Sequence, residues 1–346
     1  LIGAFVVQDL IIVAWSIAAH RWYLHTHPPV PAVLVCDEYR MNVDHIMKNY
    51  DMDAHFKVTD IILAKDVVED IPSSIIKDAG VVFICGLHSH ERNIIVKYCV
   101  AHNIASYVIP RVGDVIMSGA EKIHLFHLPM FMVHRYDPTP EYLFLKRLMD
   151  IILSLIAVVI FSPFMIVTAI AIKATDGGSI FYRQRRLTKD GKEFDVLKFR
   201  SMRMDAEKDG VARLSTGEND PRITKVGRII RAIRFDELPQ LLNILQGDMA
   251  IVGPRPERPE ISAQYEKDIP EWPLRLQCKC GLTGYAQVYG QYNTTPYDKL
   301  LMDLMYIARP SLVEDIKIIF ATVKILFMKE STAGVAEGQT TAMGKK

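Results

Sequence analysis

Residues 148–172 read LMDIILSLIAVVIFSPFMIVTAIAI, an apolar run broken at its middle by Ser162 and Pro163. Roughly 20 apolar residues are enough for a helix to cross a bilayer, so the run could span one. Proline, however, removes a backbone donor and disfavours helix for the residue before it. Lys146 and Arg147 precede the run, and Lys173, Arg183, Arg185 and Arg186 follow it. Positive charge on both flanks assigns both ends to the cytoplasmic face. Together these constraints predict a re-entrant hairpin that enters one leaflet, breaks at Ser162 and Pro163 and returns. A proline-kinked spanning helix is the plainer alternative.

The rest of the chain must fit such a segment. Half of the residues are hydrophobic and 23% are charged, and mean hydropathy is +0.13, so part of the chain is expected to meet membrane lipid. A formal net charge of +1 excludes a uniformly basic nucleic-acid binder. Cys36, Cys85, Cys99, Cys278 and Cys280 are odd in number and form no CxxC pair, which argues against a disulfide framework or a zinc site.

The apolar stretch Ile2 to Ala19 is followed by His20, Arg21, Trp22 and Tyr23, an aromatic and basic border of the kind found where a helix leaves the bilayer. Residues 1–27 therefore read as a transmembrane helix, the last of a longer N-terminal bundle. After Pro28-Pro29-Val30-Pro31, short apolar runs (Ala32 to Cys36, Val58 to Ala64, Val81 to Cys85, Ser106 to Ile109) alternate with amphipathic ones (Met41 to Tyr50, Glu91 to Ala101). That alternation predicts a parallel sheet of Rossmann type over 28–135. Its first turn, Cys36 to Asn42, has no glycine and two acids, so a degenerate fold used for regulation or for a homodimer contact is expected. The fold class is thus α/β: an N-terminal helix, a degenerate Rossmann-like domain, then a mainly helical monotopic catalytic domain over 136–330 with the re-entrant hairpin. Ser311 to Lys329 reads as a helix lying in the membrane interface, and residues 331–346 as a disordered tail.

The chemistry centres on Arg231-Ala-Ile-Arg-Phe-Asp236-Glu237-Leu-Pro-Gln240. Adjacent residues point about 100° apart on a helix, so the two acids cannot share a proton face to face and should have different tasks. Pro239 in a first helical turn sets both at a helix start, where simple capping is the ordinary role. Arg222, Lys225, Arg228, Arg231 and Arg234 recur at every third position, a stripe suited to a phosphate beside the acids or to a solvated face. Lys198 and Arg200 alternate as one face of a strand would. Arg186 belongs to a further basic run, and Arg255 sits between two prolines as one stiffly presented guanidinium.

Lys146-Arg147 through the Ser162-Pro163 break, Lys198-Phe-Arg-Ser-Met202, Asp220-Pro-Arg-Ile-Thr224, Asp236-Glu-Leu-Pro-Gln240, Gly247-Asp-Met249, Val252-Gly-Pro-Arg-Pro256 and Gly281-Leu-Thr-Gly284 together resemble the bacterial sugar transferase family, the monotopic polyprenyl-phosphate phosphoglycosyl transferases. The similarity covers about residues 140–328, and the upstream part resembles long members that initiate exopolysaccharide, capsule or O-antigen synthesis. The resemblance implies transfer of a sugar 1-phosphate from a UDP-sugar (UDP-glucose or UDP-galactose) to polyprenyl phosphate at the bacterial inner membrane, with the catalytic domain facing the cytoplasm. It implies Asp236 as nucleophile and Glu237, with Asp236, as the site of Mg2+. Lys198, Arg200, Arg186, Arg231, Arg255 and Gln240 are then substrate- and phosphate-binding. Two positions depart from the family pattern: Thr188 stands where relatives usually carry glycine, and Gln291 where many carry arginine.

Two other classes compete. A membrane-associated nucleotide-sugar dehydratase or epimerase would use the Rossmann-like half, and Tyr142-Leu-Phe-Leu-Lys146 matches the Tyr-x-x-x-Lys pattern of short-chain reductases, though without a glycine-rich loop. A lipid-binding scaffold would use the cations alone. Tyr285, Tyr289 and Tyr292 could line a sugar or uridine pocket or form a packed aromatic turn.

Overall fold

A computed structural model describes residues 2–36, 55–63, 76–204, 206, 220, 222–290 and 294–326. The chain divides into two compact units, Leu1–Ile109 and Pro110–Lys346.

In the first unit, α1 (Ile2–Thr26) leads into β1 (Val30–Cys36), β2 (Phe56–Leu63), β3 (Val81–Cys85), α2 (Ser89–Ala101) and β4 (Ala105–Val108). The four strands form one sheet in the order β2-β1-β3-β4, every pairing parallel. Alternate residues serve opposite faces. Val33 and Val35 pack with Ile84, Ile95 and Cys99, while Leu34 and Cys85 pack with Cys36, Phe56 and Phe83. The expected helix over Met41–Tyr50, most of the glycine-free turn and the C-terminal tail lie outside the described residues.

The second unit comprises α3 (Val112–Ser118), the hairpin β5 (Glu121–Leu125) and β6 (Leu128–Met132), α4 (Pro140–Asp176), the hairpin β7 (Phe181–Leu187) and β8 (Glu193–Phe199), α5 (Lys225–Ala232), α6 (Gln240–Gln246), β9 (Ala250–Val252), α7 (Pro259–Asp268), β10 (Gly281–Thr283), α8 (Tyr285–Val288), α9 (Pro296–Ala308) and α10 (Leu312–Leu326). Val112 and Val115 belong to the same core as Val252, Trp272, Leu300 and Ile318. Residues from 110 onward therefore stand with this unit, although the sequence pattern drew the domain boundary at 135.

The long helix α4 carries the apolar run and is long and apolar enough to cross a membrane. Thr139 caps its start through the Tyr142 amide, and Gly177, at φ 69°, ends it in the left-handed region that glycine adopts without a Cβ penalty. Helical structure continues through Ser162 and Pro163, so the break expected from sequence is a proline site within one helix. The local reason is legible. Pro163 has no amide to offer the Val159 carbonyl, and Ser162 Oγ donates to that carbonyl instead, at 2.8 Å.

Ile152, Leu155, Ile156, Val159, Ile160, Phe164, Val167 and Ile170 are all exposed along α4, and within its most apolar window only 6% of residues are buried. Such a surface is stable against lipid and not against water. Both flanks of the helix nevertheless pack on the second unit. Arg147 donates to the Ile244 and Leu245 carbonyls at 2.6 and 2.8 Å, and Ile172 shares a cluster with Phe199 and Ile230. On α10, Val313, Ile316, Phe320 and Val323 are exposed, an apolar stripe at helical spacing that agrees with an interfacial helix.

Candidate active site

Asp236 and Glu237 lie in a single 3-10 turn, Phe235–Glu237, between α5 and α6. Thr224 caps α5 by accepting the Gly227 amide at 2.9 Å. The helix passes so close to Ser201 that a Cβ on Gly227 would strike the Ser201 carbonyl. Arg234 then turns the chain in the left-handed region, at φ 53° and ψ 24°, a conformation that costs a non-glycine residue about 1 kcal/mol or more. The ring of Phe235 meets Phe164 edge-on, centroids 6.4 Å apart. The residue before Asp236 thus rests on α4 beside its proline site.

Glu237 Oε1 accepts from Lys198 Nζ at 3.0 Å and from Arg255 Nη2 at 3.2 Å. Burial would raise Glu237, but Lys198, Arg255 and Arg234 outweigh it and hold the carboxyl well below the usual range. For Asp236 the balance reverses. Burial and then the Glu237 charge lift it above the ordinary carboxylate value, against Lys198 and Arg231. Two adjacent acids with opposite shifts are suited to different tasks.

Arg186, Lys198, Glu237, Gln240 and Arg255 line one open cleft together with Val196, Pro256 and Gly281. Arg186 donates to the Pro256 carbonyl at 3.0 Å, and burial draws its guanidinium down to about 10, with Arg255 and Arg258 adding to the fall and Glu257 opposing it. Arg231 acts on Asp236 electrostatically. Arg200 is not among the residues lining that cleft: it follows the last residue of β8, is buried, and its guanidinium lies against Gly178. The five-cation stripe is also divided, since α5 includes only Lys225, Arg228 and Arg231. Arg222 precedes it, paired with Asp220 at 2.6 Å, and Arg234 follows it in the turn.

Several positioning residues carried no clear motif. Asn243, 2% exposed, accepts the Leu197 amide and donates to the Asp195 carbonyl, both at 2.9 Å. It acts as a side-chain strand partner that ties α6 to β8 next to Lys198. An asparagine within an otherwise apolar helix was the available signal. Arg275 donates to the Arg255 carbonyl at 2.9 Å and to Asp303 at 2.8 Å, so a buried ion pair props the turn that presents Arg255. Thr188 Oγ1 donates to the Asp248 carbonyl at 2.9 Å, which gives this departure from the family pattern a structural task.

Other sequence candidates fall elsewhere. Tyr142 and Lys146 both reach Asp315 Oδ2, at 3.2 and 3.0 Å, so the reductase-like pair serves a structural network. Tyr285 donates to Glu314 at 2.6 Å and packs on Tyr289 and Tyr306, as a packed aromatic turn does. Gln291 and Tyr292 lie outside the described residues.

A family model described as bacterial sugar transferase matches residues 141–329. Over 231 residues the chain is 37% identical to a UDP-N-acetylgalactosamine-undecaprenyl-phosphate N-acetylgalactosaminephosphotransferase of Aeromonas hydrophila, covering 66% of this chain and 53% of that protein. It is 39% identical over 212 residues to a UDP-glucose:undecaprenyl-phosphate glucose-1-phosphate transferase of Escherichia coli K12, covering 60% and 44%. A Rhizobium leguminosarum exopolysaccharide production protein is 42% identical over 190 residues, 52% of this chain and 94% of its own length. The chain thus spans about half the length of the first two relatives.

Proposed function

Because the chain belongs to the bacterial sugar transferase family, we propose that it moves a sugar 1-phosphate from a UDP-sugar to undecaprenyl or a similar polyprenyl phosphate, releasing UMP. The observation that carries this reading is the convergence of Lys198 and Arg255 on Glu237 beside Asp236, on a turn seated against an apolar, exposed helix.

In the first step an Asp236 carboxylate oxygen attacks the β-phosphorus of the UDP-sugar. The bond from that phosphorus to the bridging oxygen breaks, and its electron pair leaves on UMP. A polyprenyl phosphate oxygen then attacks the same phosphorus and Asp236 departs as a free carboxylate, giving the sugar diphosphate lipid. Lys198 and Arg255 bind and orient the phosphates, and Arg231 adds to the positive field of Lys198 at Asp236. Gln240 and Arg186 form the cleft wall, and Arg200 acts as a support behind it.

Glu237, with Asp236, would hold Mg2+, and the donor set fits that ion. Among the described residues no group of three His, Cys, Asp or Glu could hold a metal alone, whereas one or two carboxylates suit an ion that completes its shell with substrate phosphates and water. When bound it would offset the repulsion between an attacking carboxylate and a diphosphate. Both flanks of α4 pack on one unit, and this supports a re-entrant path that keeps the cleft at headgroup depth on the cytoplasmic side. For the parallel-sheet unit we retain a Rossmann-like regulatory or dimerisation role.

Asp236→Asn provides the test. UMP release from a panel including UDP-glucose, UDP-galactose and their N-acetyl forms, with polyprenyl phosphate as acceptor, should fall on the order of a thousandfold or more. Unchanged release would remove Asp236 from the reaction, and the panel itself identifies the sugar.

A further inference from the structure

Two cations from separate parts of the chain, one on β8 and one on the turn after β9, bond a single carboxylate oxygen, Glu237 Oε1. The Glu237 and Lys198 side chains are only 16% and 19% exposed, while Arg255 reaches them from the more open side of the cleft, at 40%. An oxygen that accepts from an ammonium and from a guanidinium at once has the charge and the donor pattern of a non-bridging phosphate oxygen. Arg255 is further fixed through its own carbonyl by Arg275. The two cations are therefore held on one anion, and that anion is a protein carboxylate.

We propose that Glu237 is a stand-in for the substrate diphosphate, displaced when a nucleoside diphosphate and a divalent cation enter together. Lys198 and Arg255 then pass from the carboxylate to phosphate oxygens, and the freed carboxylate turns to the divalent cation. The inference rests on the phosphotransfer reading above and extends it to the order of contacts. Its logic is an exchange of partners. Without the stand-in, two unpaired cations would repel each other in a partly desolvated cleft. With it, a diphosphate arriving alone must expel a carboxylate that has no new partner, whereas one arriving with a divalent cation supplies that partner. Nucleotide and cation should therefore each strengthen binding of the other.

Binding of UDP to the full chain in detergent micelles, measured by calorimetry in chelator and in Mg2+, separates the outcomes. In chelator, Glu237→Gln should bind UDP about tenfold more tightly than the wild type, because the competing charged acceptor is gone. Mg2+ should tighten binding of UDP by the wild type, and that tightening should largely disappear in Glu237→Gln. Glu257→Gln, at an acid 3.6 Å from Arg186 that does not itself line the cleft, should change affinity by less than about fivefold.

The proposal is overturned if Glu237→Gln binds UDP no more tightly in chelator, or if Glu257→Gln tightens binding equally. In either case Mg2+-dependent binding by the wild type leaves the phosphotransfer reading intact; a wild type that binds no UDP under any condition removes both. Glu237→Ala adds a check that tolerates lost stability. UDP in chelator should raise its melting midpoint more than that of the wild type, and an equal rise also overturns the proposal.

Discussion

The ring of Phe235 stands edge-on to that of Phe161, centroids 6.0 Å apart, so the turn that carries Asp236 is braced by the turn of α4 that precedes Pro163. Aromatic pairs of this geometry contribute about 0.5–1.5 kcal/mol beyond their buried area. Phe235→Ala should lower stability by about 2 kcal/mol and reduce UMP release far more than UDP binding, because Lys198 and Arg255 are held by other elements. Denaturation midpoints, turnover and UDP calorimetry on one preparation check this. Equal loss of binding and turnover would show that the ring supports the whole cleft.

Asn243 serves a different support. Asn243→Ala orphans the Leu197 amide and the Asp195 carbonyl at once, which should cost about 2–3 kcal/mol. Lys198, one residue beyond Leu197, loses its fixed distance to Glu237. UDP affinity should fall with stability, and Asn243→Asp, which still accepts but cannot donate, should lie between. A stable variant with wild-type affinity would refute the strand-partner role.

How much of this was readable beforehand depends on the range of the signal. The strand over Val81–Cys85 followed directly from a short β-branched run, and the acid turn followed from Pro239, because both are set by local preference. Arg200 follows Phe199, the last residue of β8, and is buried outside the cleft lining, a placement that strand alternation alone does not encode. Arg275 and Asp303, 28 residues apart in the chain, and Arg147, which caps α6 across 97 residues, owe their tasks to tertiary packing that no local pattern encodes.

The opposite shifts of the two acids make a pH prediction. Asp236 has its folded value raised, so its contribution to stability is full at low pH and is lost as pH rises through the raised value. Glu237 has its folded value lowered, so its contribution is present above the ordinary carboxylate range and is lost as pH falls through the lowered value. Asp236→Asn mimics the protonated acid. Its stability advantage over the wild type should therefore grow as pH climbs from the ordinary aspartate range through the raised value, then level off. UMP release by the wild type should fail on the acid side at a pH above the ordinary aspartate value. Denaturation and rate profiles test both, and a pH-independent stability difference would contradict the assignment.

Arg234 adopts a left-handed conformation that glycine would take without strain, yet its cation is among those lowering Glu237. Arg234→Gly should keep or raise stability, by up to about 1 kcal/mol, while weakening the hold on Glu237 and lowering turnover. Arg234→Lys keeps the charge and the strain, and should retain most activity. If the glycine variant is both less stable and fully active, the arginine serves packing and not the acids.

Ser162 Oγ replaces the donor that Pro163 lacks, and lipid offers the Val159 carbonyl no alternative partner. Ser162→Ala should therefore destabilise the protein by about 1 kcal/mol, whereas Ser162→Ala combined with Pro163→Ala restores an ordinary amide donor and should recover the loss. The same substitutions bear on the path of α4. Cysteines placed just before Lys146 and just after Lys173 should both react with an impermeant thiol reagent from the cytoplasmic side. In the double variant a straighter helix should shift the second cysteine toward protection. Labelling from opposite sides in the wild type would replace the re-entrant path with a kinked spanning helix, and would leave the Ser162 hydroxyl as a local repair with no topological consequence.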